Sequence, residues 1–109
     1  MFACFYFKEK SIQLSEYSIK TYGNGKNGHH LKNWCIEVSN DGSNWKEIDH
    51  RPEDQTLNGP HKQSIFKINE KQTEFYHFIR LRQTGCSWYG NYDFDISKIE
   101  FFGILKCKN

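Results

Sequence analysis

Apolar and polar residues alternate most cleanly between Trp34 and Asp49. Trp34, Ile36 and Val38 interleave with Cys35, Glu37 and Ser39. That period of two marks a strand with one buried face. Asn40-Asp41-Gly42-Ser43-Asn44 follows, a dense run of turn formers. Asx side chains close local hydrogen bonds there, and Gly42 accepts a positive φ without a Cβ penalty. Trp45 and Ile48 open a return strand. Their spacing breaks strict alternation, which predicts a bulge or a late strand start near Trp45. The unit reads as a β-hairpin with a Trp on each arm.

The same period recurs on both sides of the hairpin. Ala3, Phe5 and Phe7 share one face of a first strand, and Lys8-Glu9-Lys10-Ser11 reads as a polar turn. Ile12 and Leu14 lead into Tyr17 to Tyr22, with Tyr17 and Ile19 inward and Ser18 and Lys20 outward. Gly23 to His30 holds three glycines and cannot be a regular element. His50 to Gln63 carries both prolines and reads as a long surface connection. Ser64 to Ile68 is a short strand with Phe66 and Ile68 on one face. Phe75 to Arg82 is a strand with Ile79 and Leu81 inward and Arg80 and Arg82 outward. Gln83 to Asp95 is a second loop, and Ile96 to Leu105 closes the pattern with Ile99 and Phe101 inward. About seven strands without helical periodicity predict an all-β antiparallel sandwich of jelly-roll type.

Composition narrows the class. At 109 residues the chain is a single domain, 1–109, and an aromatic share of 17% supplies a core. A net charge of +2 is too weak to point to nucleic acid. No apolar run reaches the roughly 18 residues of a spanning helix. Cys4, Cys35, Cys86 and Cys107 have no CxxC spacing, which argues against zinc. With no leader evident, four reduced thiols and an intracellular setting are expected. The sequence holds no phosphate-binding glycine loop, nucleophile elbow or Cys-His constellation, so no cofactor and no enzyme activity are expected.

Three blocks then acquire a joint meaning. Leu31 to Trp45, with its Ser39-Asn40-Asp41-Gly42-Ser43-Asn44-Trp45 core, resembles the strand and S-x-D-G-x-x-W signature of discoidin domains, also called coagulation factor V/VIII C-type domains. Phe78-Ile79-Arg80-Leu81-Arg82-Gln83-Thr84-Gly85 is similar to the late Y-I-R-L strand of that family. Ile99-Glu100-Phe101-Phe102-Gly103 is similar to its closing strand, and Tyr17-Ser18-Ile19-Lys20 to the strand before the hairpin. The resemblance implies a galactose-binding-domain-like jelly roll. It also implies a binding module, with glycans, anionic phospholipid headgroups or proteins as ligands and loops at one end as the site. Family domains run to about 150 residues, so the chain is expected to lack the family's N-terminal segment. The usual partner of Cys107 in a terminal disulfide would fall in that segment.

Lys26, Asn27, His29 and His30 are the expected contact residues, because their loop corresponds to a ligand-facing spike of the family. Lys and neutral His can donate to sugar hydroxyls. No bulky apolar residue marks the loop tip, which favours a polar ligand over membrane insertion; the competing reading is a plain solvated loop. His29 and His30 are adjacent, point opposite ways on extended backbone and have no third ligand at useful spacing, so no metal is expected. Trp88, Tyr89 and Asn91 are secondary candidates for sugar stacking, with packing at the sandwich edge as the favoured alternative. Asp93 and Asp95 carry no catalytic signal as a loop pair. Two other roles compete with glycan or protein recognition. One is an adaptor surface built from Tyr22, Tyr76, Phe78 and Phe102. The other is peripheral binding to an anionic lipid headgroup, which needs a basic cluster beside the loops.

Overall fold

The computed structural model describes residues 2–23 and 29–107. Among these described residues seven strands form: β1 (Phe2–Tyr6), β2 (Lys10–Lys20), β3 (Trp34–Ser39), β4 (Lys46–Arg51), β5 (Gln63–Lys67), β6 (Phe78–Gln83) and β7 (Lys98–Cys107). They make two antiparallel sheets, one ordered β1-β6-β3-β4 and the other β5-β2-β7. The two short runs foreseen around Ile12 and Tyr17 are one eleven-residue strand. A register shift between Leu14 and Glu16 separates them.

The inner faces follow the alternation. Trp34, Ile36 and Val38 of β3 and Ile79 and Leu81 of β6 meet Ile12, Leu14, Tyr17 and Ile19 of β2 and Phe66 of β5 in one cluster. Each fully buried side chain of this size stabilises the fold by roughly 1.5–3 kcal/mol. Phe66, on the edge strand β5, joins two rings of the cluster. Tyr17 stacks on its ring at 5.2 Å and Trp34 meets it edge-on at 5.3 Å. Leu57 is also fully buried. It turns inward from the connection expected to run over the surface and plugs one end of the core.

The hairpin has the anticipated loop. Gly42 takes φ 77°. Oδ1 of Asp41 accepts the amides of Ser43 and Asn44, each at 2.8 Å. Those bonds, with Asn44 first, hold the Asp41 carboxyl well below the usual carboxylate range. The return strand starts late, at Lys46, and its bulge sits at Ile48 rather than at Trp45, since Ile36 faces Asp49 and Glu37 faces Glu47.

β3 is central, and its outer face is covered too. Arg80 and Arg82, flanking it on β6, both reach Oε1 of Glu37, at 2.8 and 2.9 Å. The Arg80 guanidinium also lies over Trp45, 4.1 Å from the ring centre. Under this cover Cys35 is fully buried. Burial first, then the Glu37 carboxylate, pushes its thiol up to about 11. Its thiolate is then about a hundredfold scarcer than that of an ordinary thiol. Brief alkylation of the native chain followed by peptide mapping should therefore label the exposed Cys4 and Cys107 long before Cys35. Equal labelling of all three would contradict the buried placement.

The flank formed by β1 and β7 is open. Phe5 of β1 meets Phe101 of β7 edge-to-face at 5.2 Å, joining the two sheets. Both residues stay half-buried, and Leu105, opposite the buried Ile12, is 54% exposed.

Candidate binding site at the loop end

The loops after β2, β4 and β6 gather at one end of the sandwich. Two polar side chains tie them together. Thr21 accepts the amide of Lys62 at 2.9 Å and donates to the carbonyl of Gly59 at 2.8 Å. Asn33 accepts the amide of Glu53 at 2.8 Å and donates to the carbonyl of Cys86 at 3.0 Å. Its own carbonyl accepts the amide of Thr84. Neighbouring Gly85 passes so close that a Cβ there would lie 2.9 Å from the Asn33 side chain. Asn33 therefore fixes the loop after β4 and the loop after β6 relative to the start of β3.

On that base the segment at His29 docks against the turn at 87–91. Backbone amides make the seam: Trp88 N–H donates to His30 O at 3.0 Å, and Asp95 N–H to His29 O at 2.8 Å. The turn closes on itself through Ser87 N–H to Asn91 O at 2.7 Å and Ser87 Oγ to Asn91 Oδ1 at 2.9 Å. The same Asn91 Oδ1 lies 3.0 Å from His29 Nδ1, which makes that nitrogen the donor. The His29 ring stands edge-on to Tyr89, with centres 4.9 Å apart. The result is a compact group, His29, Tyr89 and Asn91, from segments some sixty residues apart in sequence. Tyr89 is 56% exposed, and Tyr92 beside it is 68% exposed. Lys32 places its ammonium 4.7 Å from the centre of the Trp88 ring, which is half-buried.

The expected site residues divide accordingly. Lys26 and Asn27 lie outside the described residues. His29 is half-exposed and joins the secondary candidates Tyr89 and Asn91 in one cluster. His30, expected as a contact residue, is only 2% exposed. Its carbonyl anchors the Trp88 turn, so its position supports the site from beneath. Trp88 is half-buried, with the Lys32 ammonium over its ring. Lys32 and Ser87 carry no signal in the sequence that sets them apart from other loop residues. Among the described residues no three metal-ligating side chains come together, and no helix is long and apolar enough to cross a membrane.

The adaptor surface does not form as expected. Tyr76 is 7% exposed and belongs to the core. Phe78 is half-buried on the outer face of its sheet, stacked on Tyr6 at 4.5 Å, while Phe102 lies in the other sheet. These side chains sit in different layers and make no common patch.

No family model matches the sequence, and no curated protein matches it. Solved structures do. CBM32-3, a carbohydrate-binding module from a family 31 glycoside hydrolase of Clostridium perfringens, superposes with a TM-score of 0.71 at 17% identity, over 94% of this chain and 66% of that one. The C-terminal domain of a chitobiase from Bacteroides fragilis gives 0.63 at 16% identity, over 90% and 59%. A putative chitobiase fragment from Bacteroides thetaiotaomicron gives 0.64 at 14%, over 99% and 61%. At these identities the likeness is one of fold. The chain has the all-β, two-sheet antiparallel sandwich of these structures and spans roughly three-fifths to two-thirds of their length.

Proposed function

We propose that this chain is a non-catalytic recognition module that binds a glycan at its loop end, with His29, Tyr89 and Asn91 as the contact group. The observation that carries the reading is their convergence. An exposed aromatic ring offers an apolar platform for the C–H face of a pyranose. The imidazole and the carboxamide beside it offer donors and acceptors for ring hydroxyls. Asn33 and the Ser87–Asn91 turn hold the group in place before any ligand arrives, which lowers the ordering cost of binding. The similarity to a carbohydrate-binding module and to domains of two chitobiases supports a glycan over the other ligand classes implied by the discoidin resemblance. A single shallow platform of this kind binds weakly, and useful avidity comes from several copies or from attached domains.

Tyr89→Ala is expected to weaken glycan binding by about 1–2 kcal/mol, roughly a 5- to 30-fold rise in Kd. His29→Ala is expected to act in the same direction. Titration calorimetry with a sugar selected on a glycan array reads both, and circular dichroism checks that each variant keeps its strands. A ligand that binds both variants as tightly as the unaltered chain would remove the site from this end of the sandwich. Failure of every glycan, with retention of a protein partner that the same variants lose, would leave the site in place and change its ligand class.

A further inference from the structure

We propose that the outer edge of β1 is a self-association surface, where a second copy of the chain adds its own β1 antiparallel to the first. β1 pairs only with β6 among the described residues. The direction of its free backbone groups follows from one bond. The amide of Phe7 donates to His77 O at 2.8 Å, in register with the pairing of Tyr6 and Phe78. Alternation then turns the N–H and C=O groups of Ala3 and Phe5 toward β6. Those of Phe2, Cys4 and Tyr6 face the open edge.

Edge strands in monomeric proteins usually carry a charge, a proline or a bulge that discourages pairing. Phe2-Ala3-Cys4-Phe5-Tyr6 carries none of these. Its register is also self-complementary. A two-fold axis at Cys4 sets Cys4 opposite Cys4 of the second copy, Phe2 opposite Tyr6 and Ala3 opposite Phe5. About six backbone hydrogen bonds result. Aromatic faces aromatic on the outer side, small faces large on the inner side, and no like charges meet. Phe2 and Tyr6 are 59% and 60% exposed. They are already held by their own domain, Phe2 by the Arg80 guanidinium at 5.4 Å and Tyr6 by its stack on Phe78. The half-buried Phe101 and the exposed Leu105 of β7 lie along the same flank and add apolar surface. Five residues a side fall well short of the roughly 20–30 a side of a standard interface. The dimer is therefore weak and concentration-dependent.

Sedimentation velocity of the reduced 109-residue chain across a concentration series tests this. A monomer–dimer equilibrium is expected. Cys4→Lys, which sets like charges across the two-fold axis about 5.5 Å apart at Cα, should abolish it; the new lysine also stands opposite Arg80 of its own β6, so circular dichroism checks that the variant keeps its strands. Cys4→Ser should keep it. Oxidised glutathione serves as a second reporter. Two Cys4 thiols exchange with it, one protein disulfide forms and two glutathione thiols are released. The linked dimer should be absent from Cys4→Ser and present in Cys107→Ser. The proposal is overturned by a chain that is monomeric throughout and gives no Cys4-linked dimer. It is equally overturned by a dimer that survives Cys4→Lys, or by links that run through Cys107 instead.

Discussion

Asp49→Ala is expected to destabilise the chain by about 2–4 kcal/mol, a large share of the 5–15 kcal/mol that holds a domain folded. Asp49 is 2% exposed and anchors the polar network inside the core. Its Oδ2 accepts the Tyr17 hydroxyl at 2.6 Å and Arg51 Nε at 3.0 Å, while Oδ1 accepts the amide of Asn69 at 3.3 Å. Tyr17 in turn accepts Trp34 Nε1 at 2.9 Å. Removing the carboxylate leaves a buried hydroxyl without its acceptor and takes the counter-charge from Arg51. Arg51 keeps its bond to the Lys67 carbonyl and its place over Phe66, which limits the loss. Urea unfolding followed by tryptophan fluorescence measures it, and a change under about 1 kcal/mol would mean that the network is dispensable.

The network also sets an alkaline limit. Burial first, and then the bond to Asp49, raise the Tyr17 phenol far above its ordinary value of 10.0. The folded chain holds that proton more tightly than the unfolded chain. Its stabilising contribution is complete below pH 10, and it falls above that point by up to about 1.4 kcal/mol per pH unit. Tyr17→Phe should be less stable at neutral pH and should lose this part of the alkaline slope.

Gly103→Ala is expected to cost about 2–4 kcal/mol, although it adds one methyl group at an exposed position. A Cβ on Gly103 would stand 2.1 Å from the carbonyl oxygen of Gln13 and 3.1 Å from the Cα of Leu14. Both contacts are backbone of β2, so no flexible side chain can yield. The crowding arises where β2 carries its extra residue, between Leu14 opposite Gly103 and Glu16 opposite Phe102. An alanine must push β7 away from β2 or slip the register. Phe102→Ala next door is the control, at 40% exposure and with a loss under about 1 kcal/mol expected. Equal urea midpoints for the two variants would refute the close approach.

Most of the sandwich was legible because its signal is local. Ile79 and Leu81 face the core and Arg80 and Arg82 face out, as a period of two requires. The turn chemistry of Asp41 and Gly42 operates within a few residues. What stayed hidden depends on distant partners. Leu57 sits in a polar connection, and only the assembled core gives it a place. Asp49 and Tyr17 look like ordinary strand residues until the two sheets bring them together from 32 positions apart. The candidate site divided in the same way. His29, Tyr89 and Asn91 were each named from residue type and loop position, whereas the bond joining His29 to Asn91 spans 62 positions. His30 misled because neighbours on extended backbone turn opposite ways, and the sequence does not say which of the two faces solvent.

The pairing of β2 with β7 joins Lys10 to Cys107 and Lys20 to Lys98. During synthesis the apolar face of β2 is made early, and its hydrogen-bonding partner along that edge is made nearly a whole domain later. Loop closure over such a span is slow. The nascent chain must carry that edge of β2 unpaired until β7 has emerged from the ribosome. Its hazard is therefore greatest before β7 emerges, when an unfinished sheet can pair with a neighbouring nascent chain.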